Sequence, residues 1–229
     1  IRMRRLRKTP ALRRLVQETR LSPADFMAPF FVVPGAANGH KEDGGSIAKH
    51  FTVDGLLRHL EGFSKKGGLS VLLFGVPDKK DSRASEAYAE GGITQQAVRA
   101  IKKNFREDLA VAADLCFCSY TDHGHCGIFT PHPALSPFHG ARDKESGAMD
   151  NDATLGLIAK TAASLAEAGV DIVAPSGMMD GQIKTIRKTL EEKGFKDTAV
   201  MSYAAKYAST LYGPFRDLAH SAPSFGNRK

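Results

Sequence analysis

Leu109-Ala110-Val111-Ala112-Ala113-Asp114-Leu115-Cys116-Phe117 runs directly into Cys118-Ser119-Tyr120-Thr121-Asp122-His123-Gly124-His125-Cys126-Gly127, and this stretch decides how the chain is read. Its first half is a short apolar run of the kind that forms a strand buried on both faces of a parallel sheet. Its second half is polar. It holds all three cysteines of the protein and two of its eight histidines, and it begins where the strand ends. Reactive residues at the C-terminal end of a buried strand mark the functional face of an α/β fold.

The same unit recurs on both sides. Before it, Ala28 to Val33 reads as a first strand, closed by Pro34-Gly35, and Leu69 to Phe74 as a second, closed by Gly75 and Pro77. Leu56, Leu57, Leu60 and Phe63 repeat at helical spacing up to Gly67-Gly68, as do Val98, Ile101 and Phe105. After it, Leu155, Ile158, Ala162 and Leu165 predict a helix ending at Gly169, and Val170 to Ala174 a fourth strand. Ile183, Ile186 and Leu190 predict a helix ending at Gly194, and Thr198 to Tyr203 a fifth strand. Residues 36–50, 78–92 and 128–150 read as loops, the last of them long, and the segment after Tyr203 as loop with one turn of helix. Near the start, Pro10 to Arg20 predicts a short helix with Leu12, Leu15 and Val16 on one side, and Ser22-Pro23 a helix-start signal.

Strands alternating with amphipathic helices mean parallel pairing through right-handed crossovers. Two α/β folds fit: an open doubly wound sheet, or a (β/α)8 TIM barrel of which about five of eight strands are visible. No G-x-G-x-x-G follows the first strand, which weakens the dinucleotide-binding option. Polar and reactive residues gather after strands three, four and five, which is the active face of a barrel.

Composition narrows the function classes. Hydrophobic residues make up 42% and charged residues 25% of the 229, as in an ordinary water-soluble globular chain. No apolar run approaches the roughly 20 residues of a membrane span, and no signal-peptide core follows the basic start, so a cytoplasmic location is expected. The net charge of +7 has a local origin: residues 1–20 carry eight basic side chains and one acid, and the rest is balanced. We therefore divide the chain into a basic N-terminal arm, 1–25, and a partial barrel domain, 26–229. A balanced body offers no broad stripe for nucleic acid or an anionic membrane, so the arm is expected to lie across a neighbouring subunit. A transit peptide is a third reading of the arm, weakened by its lack of serine.

Three thiols at C-x-C-x7-C, with imidazole beside them, are soft ligands at the spacing of one metal centre. Thiolate favours zinc over magnesium or calcium, and three protein ligands leave a fourth position open for chemistry. Ordinary buried thiols and a disulfide are the competing readings. The cysteine count is odd, and Cys116 and Cys118 lie too close in sequence to bridge easily. Gly124 and Gly127 let the loop fold back, so that Cys126 meets Cys116 and Cys118. After the fifth strand, Lys206 reads, taken alone, first as a surface lysine with its stem on Tyr207. The alternative is a desolvated amine able to form a Schiff base with a carbonyl. Arg216 and Arg228 read singly as solvated loop charges, though their planar guanidinium groups can also hold a carboxylate bidentately.

Taken together, these motifs resemble the porphobilinogen synthase (δ-aminolevulinic acid dehydratase) family, in its zinc-dependent branch. The matching segments are Arg4 to Leu15, Cys116 to Gly127, Asp150 to Leu155, Ala174-Pro175-Ser176 with Met179-Asp180-Gly181, Met201 to Lys206, Tyr212 to Arg216, and Gly226 to Lys229. The resemblance implies a (β/α)8 barrel that condenses two 5-aminolevulinate molecules into porphobilinogen with loss of two waters, a lyase step of tetrapyrrole and heme synthesis. It implies that Lys206 is a Schiff-base lysine and that Asp114 assists proton transfer. It further implies that Cys116, Cys118 and Cys126 bind zinc, with His125 a ligand of a second ion in some members. Tyr212, Phe215, Arg216 and Arg228 match the substrate-binding positions. The arm matches one that embraces a neighbour in a homo-octamer. The loop from Phe129 to Met149 is longer than the family's, and Gly45 to Lys49 departs from its pattern. The family also continues past the position of Lys229 with its last strands and a second Schiff-base lysine, so a fragment of a longer enzyme is expected. Two rivals stand beside this reading. A class I aldolase would need Lys206 but no cysteine cluster. A zinc-binding, catalytically inactive assembly partner of the full-length enzyme would need no active amine.

Overall fold

The computed structural model describes residues 2–35, 49–130, 148–207, 209–210 and 212–224. The strands are β1 (Met27–Val32), β2 (His50–Phe51), β3 (Ser70–Gly75), β4 (Ala110–Leu115), β5 (Ile128–Thr130), β6 (Ala148–Asp150), β7 (Ile172–Pro175) and β8 (Ala199–Val200). The helices are α1 (Pro10–Leu15), α2 (Val53–Lys65), α3 (Ile93–Phe105), α4 (Asn151–Glu167), α5 (Gln182–Glu192) and α6 (Tyr212–Leu218).

Six strands make one parallel sheet in the order β2-β1-β3-β4-β7-β8. Apart from the two-residue edge strand β2, which lies on the outer side of β1, the strands β1, β3, β4, β7 and β8 follow one another across the sheet in chain order without reversal. A doubly wound sheet needs such a reversal and a barrel does not. The sheet is an arc of a (β/α)8 barrel, edged by β2 and β8 among the described residues.

Side chains alternate across this sheet as the strand period of two requires. Phe30 and Val32 of β1, Val71 and Leu73 of β3, Val111, Ala113 and Leu115 of β4, and Val173 of β7 form one core with the helices. Each of α2 to α5 contributes a stripe at three- and four-residue spacing: Leu56 and Leu60, then Ala97, Val98 and Ile101, then Ile158, Ala162 and Leu165, then Ile186 and Leu190. The alternate residues face the other side. There Phe31, Val33 and Val76 form a second cluster with Ala219, just beyond α6. On β4 the alternate positions are Ala112 and Asp114.

The N-terminal end of the sheet is fixed by one acid. Asp171 accepts from Lys102 Nζ at 2.8 Å on both carboxylate oxygens and from the Val111 amide at 2.7 Å. Its main chain meanwhile bonds Val111 and Ala199, so β4, β7 and β8 share one anchor for their register.

Several sequence expectations are corrected. The helix expected over Pro10 to Arg20 stops at Leu15, and Leu15 (75% exposed) and Val16 (45%) pack on no core among the described residues that would extend their periodicity. The third strand ends at Leu115 rather than Phe117, because the chain turns there: the amides of Tyr120 and Thr121 both donate to the Phe117 carbonyl. The fifth strand shortens to Ala199–Val200 at the sheet edge. The span 128–150 is not wholly loop, since β5 and β6 pair antiparallel at its two ends; its middle lies outside the described residues. The two-residue strand β2 lies in the span expected as loop, and 78–92 includes a 3-10 turn at Ser85–Ala87. Residues 2–26 are exposed except Leu12, and within them Ser22 closes a capping box over the turn Pro23–Asp25, as its position predicted.

Gly75 ends β3 where the buried hydroxyls of Thr94 and Tyr120 meet at 2.8 Å. A Cβ there would fall inside both oxygens. Gly75→Ala is expected to lower stability by about 1–3 kcal/mol, the usual range for overpacking. Gly62→Ala, in open space on α2, is expected to raise it by roughly 0.5–1 kcal/mol through helix propensity. Urea midpoints of the two variants against the parent chain check both signs.

Candidate active site and metal centre

The site grows out of the C-terminal ends of β4, β7 and β8. Register pairs Asp114 with Ala174 and Leu115 with Pro175, and the Ser176 amide extends the ladder to the Leu115 carbonyl at 3.2 Å. Leu115 and the buried Phe117 point into the helix-side core, so Asp114 and Cys116 face the other way. The chain then doubles back. The Thr121 hydroxyl donates to the His125 carbonyl at 2.8 Å, and the Gly124 amide to the Thr121 carbonyl at 3.3 Å, which returns Cys126 to the strand end. Gly127 must lack a side chain, because a Cβ would meet the Thr154 hydroxyl, which itself accepts from the Ile128 amide.

Cys116 Sγ lies 3.1 Å from Cys118 Sγ, and Cys118 Sγ lies 2.8 Å from Cys126 Sγ. These separations exceed the ~2.05 Å of a disulfide. All three cysteines are free and half-buried, and their ligand atoms lie within 4.8 Å of one another. Tetrahedral coordination at Zn–S bonds of ~2.3 Å asks for sulfurs about 3.8 Å apart, so small side-chain shifts would seat an ion. The electrostatics of Cys116 and Cys126 fit the same conclusion. Contact with Cys118 and burial push the Cys116 thiol up to about 11. The neighbouring thiols and burial also push Cys126 upward. Three thiolates cannot share this space without a cation, and a soft dication supplies one. His125 is outside this donor group. Its amide donates to His123 Nδ1 at 3.1 Å, and its ring packs on His123 and Phe129.

Asp114 sits beside the thiols with its carboxyl buried. Burial raises its pKa to about 7, with a further upward push from Cys116; the Ser176 and Tyr203 hydroxyls and the Lys206 ammonium pull it back. Asp114 Oδ1 and Tyr203 Oη are buried without a completed hydrogen bond among the described residues. Lys206 donates to the Ser176 carbonyl, and its Nζ lies 5.3 Å from the centre of the Tyr203 ring. One carboxyl therefore feels both the Cys116 thiol and the amine. Lys206 is exposed in the described structure, and its neighbour Tyr207 is 82% exposed. The exposure agrees with the surface-lysine reading of the residue taken alone, but its amine lies by Tyr203, with no contact to Tyr207 among the described residues.

The segment with Tyr212, Phe215 and Arg216 crosses the same face. Phe215 packs on Phe31 and Phe74 at the ends of β1 and β3, with ring centres 5.6 and 5.5 Å away. Arg216 Cζ stands 5.7 Å over the Tyr212 ring. The chain then reaches the cysteine loop, where the Ser224 amide donates to the His123 carbonyl at 3.1 Å. Arg228 lies outside the described residues. Ser176 and Tyr203 were not assigned roles from sequence. Their signal is position: each lies just past the C-terminal end of a strand of the sheet.

Gly124 (φ +72) is pressed against the Ala222 main chain, where a Cβ would meet the carbonyl carbon at 2.9 Å. Gly124→Ala is expected to detach residues 222–224 from the cysteine loop. Limited proteolysis should then cut within 219–224 at least several-fold faster than in the parent chain; equal rates would contradict the packing.

Comparison with known proteins agrees with this geometry. The sequence profile described as delta-aminolevulinic acid dehydratase matches residues 1–229. The chain is similar to the delta-aminolevulinic acid dehydratase of Bacillus subtilis, at 44% identity over 228 residues, covering 100% of this chain and 65% of the relative. It is similar to that of Synechococcus elongatus at 46% over 228 residues, covering 100% and 66%. A solved structure of the delta-aminolevulinic acid dehydratase (porphobilinogen synthase) from Toxoplasma gondii, in complex with the reaction product porphobilinogen, superposes with a TM-score of 0.86. It is 33% identical, and the match covers 100% of this chain and 61% of that one. The chain thus spans about two thirds of the length of the curated relatives it matches. With its profile matched from first residue to last, the chain belongs to the delta-aminolevulinic acid dehydratase family.

Proposed function

We propose that this chain carries the metal centre and one Schiff-base lysine of a porphobilinogen synthase, which joins two 5-aminolevulinate molecules into porphobilinogen with release of two waters. The observation that carries this reading is the convergence of a three-thiol cluster, a buried carboxyl and a lysine amine on one end of a barrel sheet in a chain of this family.

Lys206 Nζ, once deprotonated, attacks the ketone carbon of one 5-aminolevulinate. The carbonyl oxygen leaves as water, and a carbon–nitrogen double bond to the lysine forms. Asp114 stands beside this amine with one oxygen unpaired, placed to hold or pass the proton that these steps move. The Ser176 carbonyl orients Lys206 Nζ by accepting from it. Arg216, with Tyr212 and Phe215 beside it, binds a substrate carboxylate, and Arg228 is assigned the same role by its place in the family motif. Cys116, Cys118 and Cys126 hold zinc, which supplies Lewis acidity toward the second substrate. His125 is retained as a candidate ligand of a second, weaker ion.

The arm, residues 1–25, binds a neighbouring copy in a homo-oligomer, with an octamer as the proposed state. Its exposed Leu6, Leu15, Val16 and Leu21 fit an intersubunit contact. No helix of the described residues is long and apolar enough to cross a membrane, and three free thiols suit a reducing compartment such as the cytoplasm.

Borohydride reduction with 5-aminolevulinate and zinc tests the amine. Intact mass and peptide mapping should place one reduced adduct on Lys206, and Lys206→Ala should abolish it. An adduct confined to other lysines, or none in a zinc-loaded chain, would contradict the assignment.

A further inference from the structure

The charged loop after β3 holds one lysine that does not behave as a surface residue. Asp78 and Lys79 are exposed, but Lys80 is half-buried, and its ammonium donates to the His220 carbonyl at 2.5 Å. Burial depresses its pKa, and the neighbouring Cys118 sulfur pulls it back up. Among the described residues no carboxylate pairs with it. An ammonium withdrawn from water needs compensating partners. Two are at hand: the His220 carbonyl, and a cysteine cluster that keeps one net negative charge when three thiolates hold a dication.

Both sides of this contact are built. The next residue, Asp81, is laced to the cysteine loop. Its amide donates to the Tyr120 carbonyl at 3.3 Å, and its carbonyl accepts from the Asp122 amide at 3.4 Å. Its carboxylate accepts from the amides of Arg83 and Ser85, which closes the turn. On the far side, His220 has a positive φ of 47 in the turn after α6, and the Ser221 amide returns to the Arg216 carbonyl at 3.0 Å. The Lys80–His220 bond thus links the main chain of the cysteine loop, through Asp81, to the segment that carries Arg216.

We propose that Lys80 is a positioning residue of the metal centre: its ammonium couples the charge of the loaded cysteine cluster to the His220 turn, and through it to the segment carrying Tyr212, Phe215 and Arg216. This rests on the reading of Cys116, Cys118 and Cys126 as metal ligands. Coupling of this kind is reciprocal, so metal should order the 218–224 segment and that segment should strengthen metal binding.

Cobalt(II) titration of the full 229-residue chain tests this, read by the thiolate-to-metal charge-transfer band. Lys80→Met keeps the stem and removes the charge, and it is expected to weaken cobalt binding by about 10- to 100-fold, the usual cost of losing an outer-shell partner. Lys80→Arg should restore most of that loss. Hydrogen exchange on the 212–224 peptide supplies a second readout. Cobalt should slow exchange at 220–224 in the parent chain and not in Lys80→Met. Equal cobalt affinity in parent and Lys80→Met would overturn the proposal. So would a parent chain that binds cobalt with no change in exchange at 220–224, a result that depends on no variant folding. A parent chain with no charge-transfer band would overturn the metal reading itself, and the role of Lys80 with it.

Discussion

The parallel register between β4 and β7 is the constraint on which the rest depends. Asp114 pairs with Ala174, so the carboxyl, the first thiol and the Ser176 carbonyl emerge at one level of the sheet. A slip of one residue would turn Asp114 and Cys116 into the helix-side core and bring Leu115 to the mouth. Two features prevent it. Val111, Ala113 and Leu115 are buried in the helix-side core, and Asp171 holds β4, β7 and β8 from below through side chain and main chain together. The chemistry at the top of the sheet is thus positioned by packing and hydrogen bonding at its bottom.

The site concentrates groups that are costly to assemble. Thiols within contact distance, a buried carboxyl and an amine would each be more stable in water. Their costs offset one another only in combination. A dication would answer the thiols, and the amine answers part of the carboxyl's burial. Such a cluster is expected to be the least stable part of the chain when no ion is bound, and the barrel helices, with their uninterrupted apolar stripes, the most stable.

Much of this was legible in the sequence. The four long helices follow from their three- and four-residue apolar spacing, and the parallel strands from short buried runs between glycines. The cysteine spacing alone placed three sulfurs on one centre. What stayed hidden depended on contacts between distant residues. Lys80 reads as one charge among many in its loop, and only the fold brings the His220 carbonyl to it, 140 residues away. Ser176 and Tyr203 matter through Asp114 on another strand, β4, which no local pattern reports. Leu15 and Val16 show the opposite error: apolar periodicity implies a buried face, but among the described residues these two stay exposed. Lys206 was ambiguous until the family resemblance, because aromatic neighbours on both sides are compatible with either of its environments.

The most direct test of the central claim is X-ray absorption at the zinc edge, on the chain loaded with one equivalent of zinc. The account predicts three sulfur scatterers at about 2.3 Å and one oxygen or nitrogen scatterer, the signature of a three-cysteine site with an open position. A shell of oxygen and nitrogen alone would show that the cysteines on this end of the sheet do not form a metal centre.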